Sequence, residues 1–375
     1  MESKWVAAWG TSPSIADAAP AQYAKDITLR YVLRMGIRGS AVRLRFDNLF
    51  SEEPAVLTRV TLCPLDGVSQ PKPVLFGGNT SGMLPAQGSL ESDPLTLDIK
   101  PGMDVAVNIY LGAFTHLNCG VGCSGPLSGG HYAMGDHCDE TSFSLLVGKE
   151  IGVYYFLTEA DVLSDESTHA LVAFGDSITA QSWPDQLTLR MLANGREDLS
   201  IIRRGISGSR VLREYSHLQH RHYGPAGMAR FEREVRIPGA DRVLILHGIN
   251  DIIHPDGIHP ARPMEHLPTA EELIEGLRNY IRAAHSYGMK AYLATLTPIL
   301  GWRTDAPDRQ ALVKAVNEWI RTTDECDGVA DFAAATCKPD DVRALLPECD
   351  SGDHLHPSVE GARRMAHCIP EDFLK

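Results

Sequence analysis

Two kinds of periodicity divide the chain. Over roughly the first 165 residues, apolar side chains recur at every second position. Leu29, Tyr31, Leu33 and Met35 alternate with Thr28, Arg30, Val32 and Arg34, and Val42, Leu44 and Phe46 alternate with Arg43, Arg45 and Asp47. Leu95, Leu97 and Ile99 lead through Pro101-Gly102 into Val105, Val107, Ile109 and Leu111. A period of two, closed by Pro/Gly turns, predicts antiparallel sheets with one buried face. A β-sandwich or jelly-roll-like accessory domain over 1–165 is the expected outcome. From about residue 168 the pattern changes. Apolar strand-like runs at 170–174, 200–204, 242–247, 290–296 and 328–332 alternate with helical patterns at 184–194, 226–235, 270–287, 308–322 and 358–368. The third helix is the clearest. Thr269 and Glu272 have capping-box spacing, Leu273, Leu277, Tyr280, Ile281 and Ala284 share one face, and Gly288 follows the end. Strands alternating with helices predict a doubly wound parallel sheet with helices on both faces, a three-layer α/β/α domain over 166–375. Segment 161–168, Asp-Val-Leu-Ser-Asp-Glu-Ser-Thr, reads as the linker.

Composition narrows the setting. The length of 375 residues suits two domains. No apolar run approaches the ~18 residues of a membrane span, and the opening Met-Glu-Ser-Lys-Trp lacks the basic and apolar regions of a signal peptide. A net charge of −13 repels phosphate backbones, which argues against a nucleic-acid partner. Eight cysteines scattered along the chain are not a disulfide scaffold and point to reduced thiols in the cytoplasm, a secreted protein lacking its leader being the alternative.

In open α/β sheets, ligands sit beyond the carboxyl ends of the strands. After the first strand comes Gly175-Asp176-Ser177-Ile178, after the second Gly205-Ile206-Ser207-Gly208-Ser209-Arg210, after the third Gly248-Ile249-Asn250-Asp251, and before the last helix Asp353-His354-Leu355-His356-Pro357. These residue types are what acyl transfer needs. A serine hydroxyl becomes a nucleophile when a base takes its proton, and His356 can do so near neutral pH. Asp353 can hold the other imidazole nitrogen. The backbone N–H groups of Ser177 and Gly208 and the side-chain amide of Asn250 are candidates for an oxyanion hole.

Those four blocks, in that order, resemble the GDSL/SGNH hydrolase family. The opening Trp5-Val6-Ala7-Ala8-Trp9-Gly10 and the Glu91-Ser92-Asp93-Pro94 region also look like two-domain members with an N-terminal β-domain. The resemblance implies a flavodoxin-like doubly wound sheet and a serine-dependent carboxylic ester hydrolase that works through an acyl-enzyme without a cofactor or metal. It implies Ser177, Asp353 and His356 as triad and Ser177, Gly208 and Asn250 as oxyanion donors. His247 departs from the pattern, since an acidic residue is expected before Gly-x-Asn-Asp.

Each residue also has a plain structural reading. Ser177, Asn250 and Asp251 are common turn formers, Gly208 suits any turn, and His356 before a proline suits a surface. Convergence of all of them on one rim is what function needs and packing does not. Gly120-Val121-Gly122-Cys123-Ser124-Gly125 matches a dinucleotide-binding pattern, but Pro126 argues against the helix that should follow. Cys119, Cys123, His131, His137 and Cys138 match no standard zinc spacing. The loops after the second and third strands carry many Arg and His residues, with Trp302 and Arg303 after the fourth. Asp176, Arg210, Asp251, His254 and Trp302 are therefore read as substrate contacts, with a short acyl group on a polar alcohol such as a saccharide as the expected substrate. The rivals are a lysophospholipase or thioesterase, a non-catalytic carbohydrate-binding protein, and a metal-dependent hydrolase using His217, His220, His222, His254, His259 and His266.

Overall fold

The computed structural model describes residues 3–16, 22–142 and 149–375. Its contacts group into two compact units, one comprising Met1–Ala170 and Met191–Ile202, the other Leu171–Arg190 and Arg203–Lys375. The N-terminal part is mostly β-strands. One antiparallel sheet runs in the order Ser3–Gly10, Leu157–Asp165, Gly39–Asp47, Leu95–Ile99. A six-stranded sheet runs Lys149–Ile151, Gly130–Met134, Ile27–Arg34, Asp104–Leu111, Arg59–Pro64, Lys72–Val74.

Two sequence expectations change here. The Ile27–Arg34 strand buries Leu29, Tyr31 and Leu33 as its alternation predicts, yet Thr28 and Arg30 on its other face are buried too. Their polar ends are met by the loop that follows the Gly130–Met134 strand: Thr28 Oγ1 donates to Gly135 O at 2.7 Å and Arg30 Nη1 to Glu140 O at 3.1 Å. The segment 161–168 is not a linker along its whole length. Asp161–Asp165 completes a strand paired with Ser3–Ala7, because Val162 continues the apolar alternation of that strand.

In the C-terminal part the strands are β1 (His169–Gly175), β2 (Leu199–Gly205), β3 (Ala240–Leu246), β4 (Lys290–Ala294) and β5 (Gly328–Ala330). They form one sheet in the order β2-β1-β3-β4-β5, the flavodoxin-like arrangement. Parallel pairing is regular from β3 to β4 and from β4 to β5. β1 is buried from Ala170 to Gly175, which is why its sequence shows an unbroken apolar run rather than alternation.

The helices are α1 (Ser177–Ala180), α2 (Trp183–Ala193), α3 (Gly227–Val235), α4 (Ile249–Ile253), α5 (Ala270–Ser286), α6 (Pro307–Thr322), α7 (Phe332–Thr336) and α8 (Val359–Cys368). The capping box of α5 forms in both directions, with Glu272 N to Thr269 Oγ1 at 3.2 Å and Thr269 N to Glu272 Oε2 at 2.7 Å. Helices α1, α4 and α7 were not expected, being too short to show a period. The last of them cuts short the strand expected over 328–332, because the Asp331 carboxylate caps it by accepting from Ala334 N at 3.1 Å. Gly120–Gly122 is a strand paired with Val153–Tyr155, and the next element is the strand Gly130–Met134, not a helix. Among the described residues no helix is long and apolar enough to cross a membrane.

Candidate active site

β1 ends where a tight approach demands glycine. A Cβ on Gly175 would stand 2.1 Å from Leu246 O and 2.4 Å from Thr179 Oγ1. The chain then turns through Asp176 into α1, which opens with Ser177. Ser177 Oγ lies 2.9 Å from His356 Nε2, and His356 Nδ1 lies 2.6 Å from Asp353 Oδ2. The other oxygen of Asp353 accepts from the backbone N–H groups of Leu355 at 3.0 Å and His356 at 2.8 Å, so one carboxylate both builds the turn and aims the ring. Burial pushes the Asp353 pKa up, but the hydrogen bonds from His356 outweigh it and hold the carboxyl below its ordinary value. Trp302 stands edge-on to His356, ring centroids 6.2 Å apart.

The turns after β1, β2 and β3 are tied together. Ile206 N donates to Gly175 O at 3.2 Å, and Asn250 Nδ2 donates to Ser209 O at 3.0 Å. Gly208 has φ +80, and a Cβ there would meet the Tyr223 ring at 2.2 Å. Asn250 is 2% exposed. Its bond to Ser209 uses one of two amide hydrogens and leaves the second for a further acceptor.

Of the five side chains read as substrate contacts, four are buried and otherwise engaged. Asp176 caps α1 by accepting from Ile178 N at 3.0 Å. Asp251 spends both oxygens on Val211 N at 2.8 Å and Leu212 N at 3.0 Å. Arg210 donates to Arg213 O and Glu214 O and packs 3.8 Å from the centroid of the Tyr215 ring. His254 meets the Tyr215 hydroxyl through Nδ1, and burial pushes its pKa down to about 3. These residues shape the loops from inside. Sequence shows that a polar residue lies at a strand end, but not which way it turns. Trp302 alone of the five remains partly exposed.

Two features escaped sequence reading, and a third, His247, was noticed without its surroundings. Arg230 on α3 is fully buried. It donates to Gly175 O at 2.6 Å, to Ser209 Oγ at 3.3 Å, to Arg204 O at 3.4 Å and to Glu234 at 2.6 Å, with its guanidinium 4.2 Å from the centre of the Phe174 ring. One cation thereby joins the turn before Ser177 to the turn after Gly208. An Arg–Glu pair four residues apart looks in sequence like a solvated helix face. His247, the departure from the family pattern, is fully buried with Nδ1 2.9 Å from Tyr280 Oη, and burial with Arg230 nearby holds it neutral. Beside the Asp353–His356 pair stands a second: His354 Nδ1 lies 2.6 Å from Asp350 Oδ2, and His354 takes the left-handed φ of +65. Such strain in a non-glycine residue persists only where its surroundings enforce it.

Burial pushes the Asp176 carboxyl from its ordinary value of 3.8 up to about 7, the Ile178 N–H offsetting part of the rise. The folded state then binds this proton more tightly than the unfolded chain does. Stability from this group is full below about pH 4, is lost as pH rises to about 7, and levels off above, a loss on the order of 4 kcal/mol. Asp251, pushed up to about 6 by burial, adds to the lower part of that window. Asp176→Asn, which keeps a capping side chain, should therefore flatten the fall of unfolding free energy between pH 4 and pH 7 in urea titrations. An unchanged slope would count against a protonated Asp176.

A serine hydroxyl hydrogen-bonded to a histidine beside a doubly wound sheet is an arrangement that α/β hydrolytic enzymes use. The family model for GDSL-like lipases and acylhydrolases matches residues 173–364, just over half the chain. The chain belongs to the GDSL-like lipase/acylhydrolase family, and it is a carboxylic ester hydrolase. Among curated proteins none matches the sequence. Among solved structures it is similar to a GDSL-like lipase from Bacteroides thetaiotaomicron, with 19% identity over 55% of this chain and 87% of that one at a TM-score of 0.40. It is also similar to Axe2, an acetylxylan esterase from Geobacillus stearothermophilus, with 22% identity over 55% of this chain and 94% of that one at a TM-score of 0.41.

Proposed function

We propose that Ser177 is the nucleophile of a covalent acyl-enzyme mechanism, with His356 as general base and acid and Asp353 orienting it. The observation that carries this reading is the continuous chain from Ser177 Oγ to His356 Nε2 at 2.9 Å and from His356 Nδ1 to Asp353 at 2.6 Å. Ser177 attacks the ester carbonyl as His356 takes its proton. His356 then protonates the leaving alcohol, and water activated by the same ring releases the acid. The N–H groups of Ser177 and Gly208 and the second amide hydrogen of Asn250 hold the oxyanion.

The catalytic domain in this reading spans 166–375, with 1–165 as a β-rich accessory domain. The substrate is a short acyl ester, acetyl above all, of a polar alcohol such as a saccharide. Trp302 beside His356 offers an aromatic face for a sugar ring. An apolar cavity of about 580 Å³ lies along α6 and α7, lined by Leu296, Pro298, Val313, Ala333 and Val342 among others; none of the proposed catalytic residues lines it. The net charge of −13 disfavours a nucleic-acid partner. Unbridged thiols at Cys63, Cys138, Cys326, Cys337, Cys349 and Cys368 favour a reducing compartment, the cytoplasm.

A p-nitrophenyl ester series tests the substrate class. kcat/KM should peak at acetate or propionate and fall at least roughly tenfold by octanoate, since a long chain needs an apolar wall. Activity that rises with chain length would overturn the acetyl reading and favour a lysophospholipase or thioesterase.

A further inference from the structure

Three histidines from two loops outside the Ser177–His356–Asp353 chain come together. His217 and His220 lie on the long loop between β2 and α3, and His259 lies on the loop between α4 and α5. One ring nitrogen from each lies within 4.8 Å of those of the other two. The ring centroids are 6.1 Å apart for His217 and His220, 5.2 Å for His217 and His259, and 4.7 Å for His220 and His259. Three imidazoles bound to one tetrahedral ion at about 2.05 Å would place their centroids roughly 5.2 Å apart, so the observed triangle needs only small adjustments to close on a metal.

One further observation favours an ion there, and another lessens an objection to it. His220 Nδ1 is buried with no hydrogen-bond partner, a state that calls for a water or an ion. Arg262, whose charge bears on His220, is ion-paired with Asp256 at 3.3 Å, so the nearby cation is partly neutralised. Ala261 N donates to His259 Nδ1 at 3.1 Å, so the neutral ring carries its proton on Nε2, and Nε2 must give that proton up to bind a metal. Loading moves the ring proton to Nδ1 and gives up that one bond.

We propose that His217, His220 and His259 bind a divalent transition ion of the zinc class, with water in the fourth position, and that the ion staples these two loops. Imidazole nitrogen selects such ions over magnesium or calcium. The site is structural, because the acyl-transfer chain needs no metal. It nevertheless bears on the oxyanion turn. His220 stacks on Tyr215 at 5.4 Å between centroids, and the Tyr215 hydroxyl donates to Gly208 O at 3.1 Å. The ion would hold that stack in place as it holds the loops.

The test is a Co2+ titration of the full chain after metal stripping, followed by the visible absorption of the bound ion and by competition with Zn2+. One Co2+ per chain should bind with the intense bands of a four-coordinate site. His217→Gln and His259→Gln should each weaken binding at least roughly a hundredfold, while His367→Gln, on the exposed face of α8, should not. Zn2+ at a hundredfold excess over its Kd should raise the Tm of the wild type by roughly 5–10 °C, and should not do so in the His259→Gln variant. Circular dichroism of the variants reports whether they fold. A site lost with Ser177→Ala, binding that persists in both loop variants, binding abolished by alkylating the cysteines, or no stoichiometric binding at all would each overturn the proposal.

Discussion

Ser177→Ala is expected to lower kcat/KM for ester hydrolysis by roughly three to six orders of magnitude while Tm changes by about two degrees or less. The Ser177 hydroxyl bonds to His356, and that ring keeps its bond to Asp353 when the hydroxyl is gone. Little packing is lost with a single oxygen, so stability should hold. The chemistry should not: without Oγ no acyl-enzyme forms, and what remains is water attacking an ester held near the oxyanion donors. A fluorophosphonate probe should label the wild type at Ser177 alone and leave the variant unlabelled, as peptide mass spectrometry would read. Hydrolysis close to the wild-type rate in the variant would dismiss the triad.

Asn250→Ala is expected to cost roughly a hundredfold or more in kcat with KM little changed, because in the proposed mechanism its second amide hydrogen meets a charge that exists only in the transition state. The geometry adds a complication that kinetics can resolve. The same amide nitrogen donates to Ser209 O at 3.0 Å, so alanine also releases the turn that carries Gly208. If turn support were its whole contribution, Ser209→Gly, which instead removes the hydroxyl bonded to Arg230 and loosens the same turn, should cost as much as Asn250→Ala. If Asn250 meets the oxyanion directly, the serine variant should be the milder by about tenfold or more. A rise in KM with kcat intact would make Asn250 a ground-state binder.

What was legible in the sequence follows from the physics of pattern. The strands of the doubly wound sheet and the helix over Ala270–Ser286 announced themselves because burial on a sheet face or helix stripe requires runs and periods of apolar residues. Ser177, Gly208 and Asn250 stood out because they follow strands, where an open α/β sheet presents polar groups, and Asp353 and His356 because they precede the last helix. The substrate contacts fared less well. Arg210, Asp251 and His254 sit at the right positions along the chain, but their side chains turn inward to satisfy the backbone and hydroxyl groups of their own loops. Nothing in local sequence distinguishes a loop arginine that reaches for solvent from one that holds two carbonyls. Arg230 was invisible for the opposite reason, since its partners Gly175 and Ser209 lie 55 and 21 residues away. The gathering of His217, His220 and His259 likewise depends on two loops folding toward each other, which no period records.

The proposed nucleophile and its base are 179 residues apart along the chain. On a ribosome adding about 5–20 residues per second, His356 is made roughly 9–36 s after Ser177. Through that interval the serine side chain is already present on a nascent polypeptide that has nothing to take its proton. In the proposed mechanism, a chain that ends before His356 carries the serine without its base. In the proposed mechanism, a lesion that stops translation before the turn preceding α8 removes Asp353 and His356 together, however much of the sheet has already folded.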